Sequence, residues 1–237
     1  MNIILFESRE IERPIPADDR RAVHLLNILK VRRGDTFDLG IVDGPRGKGT
    51  VSSIRDGSIV FRADLEHEVP ELYPLTLIVG AVRPPAARRI LKDSATLGLS
   101  ALYVFASEKG EASYLKSRVW KEETARRLFI EGAEQGFTTR IPSLRLFENL
   151  TAAVATLPGG TSRAALDTYE ASVSLHAWQG LSPCALALGS ERGWSERERM
   201  TLREAGFTLV SLGRRVMRTE TAVIAASALT LSNLGYW

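Results

Sequence analysis

Cys184-Ala185-Leu186-Ala187-Leu188-Gly189-Ser190-Glu191-Arg192-Gly193-Trp194-Ser195-Glu196-Arg197-Glu198 is the stretch that decides the fold. Cys184 to Leu188 is apolar without alternation, as a strand buried on both faces of a parallel sheet must be. It runs into a loop bearing two glycines. Ser195 followed by Glu198 is the capping-box spacing that opens a helix, and Gly206 is placed to end it. The chain then reads as a strand, Phe207 to Leu212, and a second loop, Gly213-Arg214-Arg215-Val216-Met217-Arg218. Thr219 is expected to cap a last helix running through Ala222, Ala225 and Ala228 toward Trp237. Two consecutive strands thus each deliver a glycine into a short loop ahead of a helix.

Moving outward, the same strand-then-helix rhythm reaches back to residue 71. Leu75 to Val82 reads as a buried parallel strand, Pro84 to Leu97 as a helix and Leu102 to Ala106 as a strand. Ser117 to Gln135 reads as one long amphipathic helix, and Ala164 to Leu166 as another strand. Such alternation implies an α/β fold with a parallel sheet and helices on both faces. Ligand sites in such sheets lie in loops beyond the carboxyl ends of the strands. The rhythm differs before Glu68-Val69-Pro70-Glu71. Asn2 to Phe6 is strand-like, and Ala17 to Leu29 is a short helix with Val23, Leu26 and Leu29 on one face. Thr36 to Val42, Gly49 to Ile54 and Ser58 to Ala63 are strands punctuated by Asp43-Gly44 and Asp56-Gly57, a hairpin signal. Residues 1–70 are expected to form a small β-barrel and residues 71–237 an α/β domain.

Composition narrows the classes. The chain has 237 residues, 44% hydrophobic and 25% charged, which excludes global disorder. Its net charge of +3 is compatible with a nucleic-acid partner without arguing for one. One cysteine, Cys184, excludes an intrachain disulfide and a cysteine-rich zinc site, and its apolar surroundings read as a small buried hydrophobe. His24, His67 and His176 lack metal-ligand spacing, so no metal is expected. No apolar run approaches the roughly 20 residues of a membrane helix. Met1 to Glu10 has no signal-peptide pattern, so a soluble cytoplasmic protein is expected. Gly44-Pro45-Arg46-Gly47-Lys48-Gly49 looks phosphate-binding but lacks the Walker spacing, and reads better as a hairpin turn. No Gly-x-Gly-x-x-Gly follows a strand, which leaves a Rossmann-type enzyme unsupported.

Glycines in the two C-terminal loops let a ligand approach the backbone, whose N–H and C=O groups can read an adenine edge or a ribose. Either loop alone could be a simple turn. Both together, with Glu191, Arg218 and Glu220 nearby in sequence, read as a site.

Gly189 to Glu198 resembles a glycine-rich cofactor motif of the RsmE family of ribosomal RNA methyltransferases. Ser211-Leu212-Gly213-Arg214-Arg215-Val216-Met217-Arg218-Thr219-Glu220-Thr221-Ala222 resembles that family's C-terminal signature almost residue for residue. His24-Leu25-Leu26-Asn27-Ile28-Leu29-Lys30 with Gly34-Asp35 is similar to its N-terminal motif. Ala133-Glu134-Gln135 with Arg140-Ile141-Pro142 is similar to a central one. The resemblance implies a PUA-like RNA-binding β-barrel at 1–70 and a SPOUT-type methyltransferase domain at 71–237 with a C-terminal trefoil knot. It implies a homodimer that binds S-adenosyl-L-methionine and releases S-adenosyl-L-homocysteine. The target would be N3 of a uridine in small-subunit (16S) ribosomal RNA, free or in the 30S subunit. The cofactor would meet Leu188, Gly189, Ser190, Glu191 and Gly193 from one loop. From the other it would meet Leu212, Gly213, Met217, Arg218 and Thr219. The chain departs from the family at Ser190 and Arg192, where Pro and Gly are usual, and at Asp93, Thr96 and Thr138.

Methylating uridine N3 requires the N3 proton to leave, because the neutral imide nitrogen is a poor nucleophile. Arg218 could stabilise the charge that develops on the base oxygens, or simply pair with Glu220 or Glu191. Glu191, ranked above Glu220, could accept the proton. Arg83, Arg88 and Arg89, with Lys92, form a basic stretch suited to phosphates or to an exposed helix face. Arg140, Arg214 and Arg215 are further candidate RNA contacts. Trp120, Trp178, Trp194 and Trp237 read as core or dimer anchors, with Trp194 the one placed to stack on a base. Two other readings stay open. One is a non-catalytic RNA-binding relative in which Arg192 fills the adenosine space. The other is a methyltransferase of the same fold with a different RNA target.

Overall fold

The computed structural model describes residues 2–66, 68–69 and 71–237. His67, and Pro70 of the expected boundary, lie outside the described residues. The chain forms two compact units, Met1–Glu71 with Ala133–Ile141, and Leu72–Gly132 with Pro142–Trp237.

The first unit contains β1 (Ile4–Phe6), α1 (Arg20–Asn27), β2 (Thr36–Ile41), β3 (Arg46–Arg55) and β4 (Ser58–Leu65). Its sheet runs β1-β2-β3-β4, with β1 parallel to β2 and the remaining pairs antiparallel. The small barrel is therefore a half-barrel of four strands, around a core that includes Phe6, Leu25, Phe37, Leu39 and Ile59. Asp56 and Gly57 both take positive φ, the backbone of a two-residue primed turn between β3 and β4. Of the face expected of α1, only Leu26 packs against this core. Ala22 and Leu25 are buried, while Val23 and Leu29 are exposed. The helix stops at Asn27, so Leu29 lies beyond it. Arg21 is bonded to Asp19 and Glu10 and rests over the Phe6 ring at 4.6 Å, contacts that fit this rotation of the helix. Gly47 explains the apparent phosphate loop, since a Cβ there would meet the Asp64 carbonyl oxygen at 1.9 Å. The glycine serves the close approach of β3 and β4.

Glu134 anchors the segment 133–141 in this unit. Its buried carboxylate accepts two bonds from Arg20, at 2.9 and 3.1 Å, and one from the Leu5 N–H. The central motif that carries Glu134 is thus built into the first unit's core.

The second unit begins with β5 (Tyr73–Gly80), α2 (Pro84–Thr96), β6 (Leu99–Phe105) and α3 (Ala112–Leu115). There follow α4 (Glu122–Gln135, its last three residues in the first unit), β7 (Ser143–Phe147), α5 (Leu150–Ala155), β8 (Ser162–Leu166) and β9 (Val173–Ser174). It ends with β10 (Cys184–Leu188), α6 (Glu196–Glu204), β11 (Thr208–Ser211) and α7 (Thr219–Asn233). The expected single helix from Ser117 is interrupted. Arg118–Trp120 is a 3-10 turn, Lys121 is extended, and α4 starts with Glu122 and Glu123. Two carboxylates suit a helix N-terminus better than its interior.

All seven strands pair in parallel, in the order β7-β6-β5-β10-β8-β11-β9. β10 lies between β5 and β8, and β11 between β8 and β9, so each late strand is inserted between earlier ones. The sheet core is aliphatic, with Leu75, Leu77, Ile78, Leu186 and Val210 fully buried. Cys184 is buried too, and burial pushes its thiol up to about 12. Among the described residues no helix is long and apolar enough to cross a membrane.

Candidate functional site

The insertion order brings the carboxyl ends of β8, β10 and β11 side by side. Their three loops line one cavity of about 240 Å³. Leu166, Leu188, Val210 and Leu212 contribute apolar wall at the strand ends, and loop backbone contributes polar wall. An apolar interior with a few fixed polar groups is the ordinary form of a small-molecule site.

The loop after β10 is tightly held. Ser190 and Gly193 form an antiparallel bridge, and the Gly193 N–H donates to the Ser190 carbonyl at 2.8 Å. A Cβ at Gly189 would lie 2.8 Å from the Gly193 backbone, so the turn closes only over a glycine. Ser190 is buried with its hydroxyl 3.3 Å from that of Ser107. Glu191 is exposed, and its Oε1 accepts the Arg83 N–H at 3.0 Å, at the start of α2. Trp194 is 1% exposed, donates to the Leu166 carbonyl at 2.6 Å and stacks on Phe105. It is core, not a base-stacking platform. Both halves of the expected capping box are formed, and Gly206 follows the C-cap Ala205 with φ +76.

The loop after β11 is open. Gly213 to Arg218 are all exposed, and Gly213 has φ +100 with nothing within 4 Å of its would-be Cβ. The N-cap of α7 is Arg218, not Thr219, and it makes no side-chain cap bond. Thr219 is the first helical residue. The last loop thus ends one residue earlier than the hydroxyl suggests.

Of the expected cofactor residues, Leu188 to Glu191, Gly193, Leu212, Gly213, Met217 and Thr219 all line the cavity. Arg218 stands next to that wall, at the head of α7, and is not one of its lining residues. Arg192 lines the cavity while exposed, and the space between the loops stays open. Arg215 lines it as well; Arg214 is its exposed neighbour. Arg83, the N-cap of α2, is exposed, as are Arg88 and Arg89 on that helix, with Arg89 3.9 Å from Glu220 of α7. Arg140 belongs to the first unit, half-buried, its Nε without a partner among the described residues.

The departures at Asp93 and Thr96 are packed into the second unit. Burial pushes the Asp93 carboxyl up, opposed by Arg89 and Lys92. The Thr96 hydroxyl is within hydrogen-bond range of the Lys92 and Gly132 carbonyls. Thr138 lies in the turn after α4, its N–H donating to the Ala133 carbonyl. Among the described residues no group of His, Cys, Asp and Glu side chains is arranged to hold a metal ion.

Sequence reasoning missed the third wall. Asp167 follows β8 and is buried, its Oδ2 2.5 Å from Arg199 Nε of α6. Its Oδ1 accepts the N–H groups of Tyr169, at 2.6 Å, and Glu170. Burial pushes this carboxyl up, but Arg199 and the two N–H groups outweigh it and hold it below the usual carboxylate range. The only sequence signal was an acidic residue directly after a short apolar strand.

The glycine backbone of Gly189 and Gly193, the bare turn at Gly213 and the apolar strand ends fit a flat heterocycle with a ribose. Residues 69–231 match the family model of an RNA methyltransferase domain. The chain is 35% identical to the ribosomal RNA small subunit methyltransferase E of Treponema pallidum, covering 100% of this chain and 93% of that protein. It is 30% identical to ribosomal RNA small subunit methyltransferase E 1 of Borreliella burgdorferi, covering 99% of each. Its fold resembles a ribosomal RNA small subunit methyltransferase E from Neisseria gonorrhoeae, solved bound to S-adenosyl methionine. That match has a TM-score of 0.78 at 23% identity, over 98% of this chain and 97% of that one. That likeness shows the fold; by the two relatives matched along its full length and the family model over most of it, the chain belongs to the ribosomal RNA small subunit methyltransferase E family.

Proposed function

We propose that this protein is an S-adenosylmethionine-dependent methyltransferase acting on N3 of a uridine in small-subunit ribosomal RNA. The observation that carries the reading is the meeting of the Gly189–Gly193 and Leu212–Thr219 segments on one cavity. When bound, S-adenosylmethionine supplies an electrophilic methyl group. The residues of the chain do the rest. Bare backbone at Gly189, Gly193 and Gly213 admits the adenosyl group, and Leu166, Leu188 and Leu212 exclude water around it. Arg218 stabilises negative charge on the uracil oxygens as N3 loses its proton. Glu191, fixed at one oxygen by the Arg83 N–H, takes that proton. Arg83, Arg88, Arg89, Arg214 and Arg215 offer guanidinium groups to phosphates, and Arg140 with the half-barrel adds an RNA contact in the first unit.

The non-catalytic reading needs Arg192 to fill the hollow, and the open cavity removes its motivation. The inserted order of β10 and β11 supports a knotted C-terminal thread. Exposed Leu181, Tyr236 and Trp237 support a homodimer that buries them. The proposed substrate is small-subunit ribosomal RNA, free or in the 30S subunit, in the cytoplasm. Calorimetry with S-adenosylhomocysteine, followed by mass mapping of small-subunit RNA methylated in vitro, tests the whole reading. Expected are saturable binding and a single N3-methyluridine. Absence of binding by folded protein would refute the enzyme. Methylation elsewhere would transfer the assignment to another RNA position.

A further inference from the structure

Tyr169 is 85% exposed, yet its backbone N–H is held by a buried carboxylate. A single exposed aromatic is unremarkable by itself. Here a buried ion pair exists to fix it. Asp167 accepts the Tyr169 N–H at 2.6 Å and binds Arg199 Nε at 2.5 Å. The Arg199 guanidinium carbon lies 5.9 Å from the Tyr169 ring centroid, within cation–π range. Glu170 extends the network, pairing with Arg199 at 3.5 Å and with Arg203. The ring lines the same cavity as Val216, which is 82% exposed, and Met217. The mouth of the cavity therefore carries an aromatic face and two aliphatic groups, with exposed Arg214 and Arg215 next along the chain.

We propose that Tyr169 is a stacking platform for the target nucleobase, a specificity-determining contact that rests on the methyltransferase reading above. A flat aromatic surface beside guanidinium groups is the chemistry that holds an unstacked base and its flanking phosphates. The solvent-facing position selects the incoming base over the adenine of the cofactor. The adenosyl group has the buried walls at Leu188 and Val210 available to it, whereas Tyr169 of the same cavity is 85% exposed.

The test compares wild type, Tyr169→Ala and Tyr169→Phe, each first shown to keep its melting temperature. S-adenosylhomocysteine affinity, KM for unmethylated small subunits, and equilibrium binding of small-subunit RNA without cofactor are measured. Tyr169→Ala is expected to raise KM and weaken RNA binding about tenfold or more, leave S-adenosylhomocysteine affinity within about twofold, and be rescued by Tyr169→Phe. A parallel loss of S-adenosylhomocysteine affinity would overturn the proposal by placing the ring on the cofactor. Unchanged KM and RNA binding would overturn it by leaving the ring merely solvated. If wild type neither binds S-adenosylhomocysteine nor methylates, the enzyme reading fails alone, and the RNA-binding arm still decides the role of the ring.

Discussion

The two loops that share the cavity are built in opposite ways. Gly189–Trp194 is closed by its own backbone bridge and tied to Ser107, Arg83 and Leu166. Gly213–Arg218 is exposed throughout and ends at a helix without a side-chain cap. One wall is finished before any ligand arrives. The other keeps unsatisfied backbone groups at the head of α7, where a bound ligand can complete them. The difference fits a division of labour within the proposed site: both walls meet the cofactor, the held one with fixed shape, and the open one adds charge for the reacting base. A fixed wall lowers the ordering cost of binding, whereas an open one lets RNA enter.

The largest expected effect breaks the open wall. Arg218→Ala is expected to lower kcat about 10²-fold or more, the usual cost of losing one charge-stabilising donor. S-adenosylhomocysteine affinity should stay within about threefold, because uniform binding and turnover are separable. Steady-state kinetics on unmethylated small subunits and calorimetry check the pair. Equal losses in both would mean that Arg218 acts by holding the cofactor, and its assignment to the reacting base would fall.

A pair of glycine substitutions sharpens the contrast. At Gly189 an added methyl would meet the Gly193 backbone at 2.8 Å, and backbone has nowhere cheap to go. Gly189→Ala is therefore expected to weaken S-adenosylhomocysteine binding about tenfold and to cost about 1–3 kcal/mol of stability. At Gly213 space is open but φ is +100. Gly213→Ala should cost about 1–2 kcal/mol of strain, part of which an exposed loop releases by relaxing. Thermal melting with and without S-adenosylhomocysteine distinguishes them. A larger loss of ligand affinity at Gly213 than at Gly189 would reverse the assignment of held and open walls.

Local pattern made much of this legible. The span of β10, the capping box of α6 and the glycine after it follow from periodicity and capping chemistry, because each involves neighbours in sequence. What stayed hidden depends on distant partners. Ser190 looks like a loop residue until Ser107, 83 positions away, meets its hydroxyl. Glu134 is only a letter of the central motif until Arg20 and the Leu5 N–H claim it. The burial of Ala22 and Leu25 instead of Val23 and Leu29 is decided by where α1 ends and what Arg21 rests on. Thr219 carries the right hydroxyl for an N-cap, but the chain enters the helix one residue earlier, at exposed Arg218.

The wall after β8 offers the finest test, because Asp167 ties it to α6 and so to the held side. Folding keeps the Asp167 carboxyl below its ordinary value, as Arg199 and two backbone N–H groups outweigh the effect of burial. A carboxyl depressed by folding stabilises the native state in full above its unfolded value of about 4. That contribution is lost as pH falls through the lower folded value. Asp167→Asn removes the ionised form and leaves Arg199 without its closest partner. At neutral pH it should cost about 1–3 kcal/mol, the range for breaking a buried charged hydrogen bond. A domain of this size would show that as several degrees of melting temperature, roughly 2–4 °C per kcal/mol. The gap between wild type and variant should be widest at neutral pH and shrink below about pH 4, as the wild-type carboxyl takes up its proton. A gap independent of pH down to the acid limit would mean that the side chain matters for packing alone. The loop after β8 would then have to be grouped with the open wall.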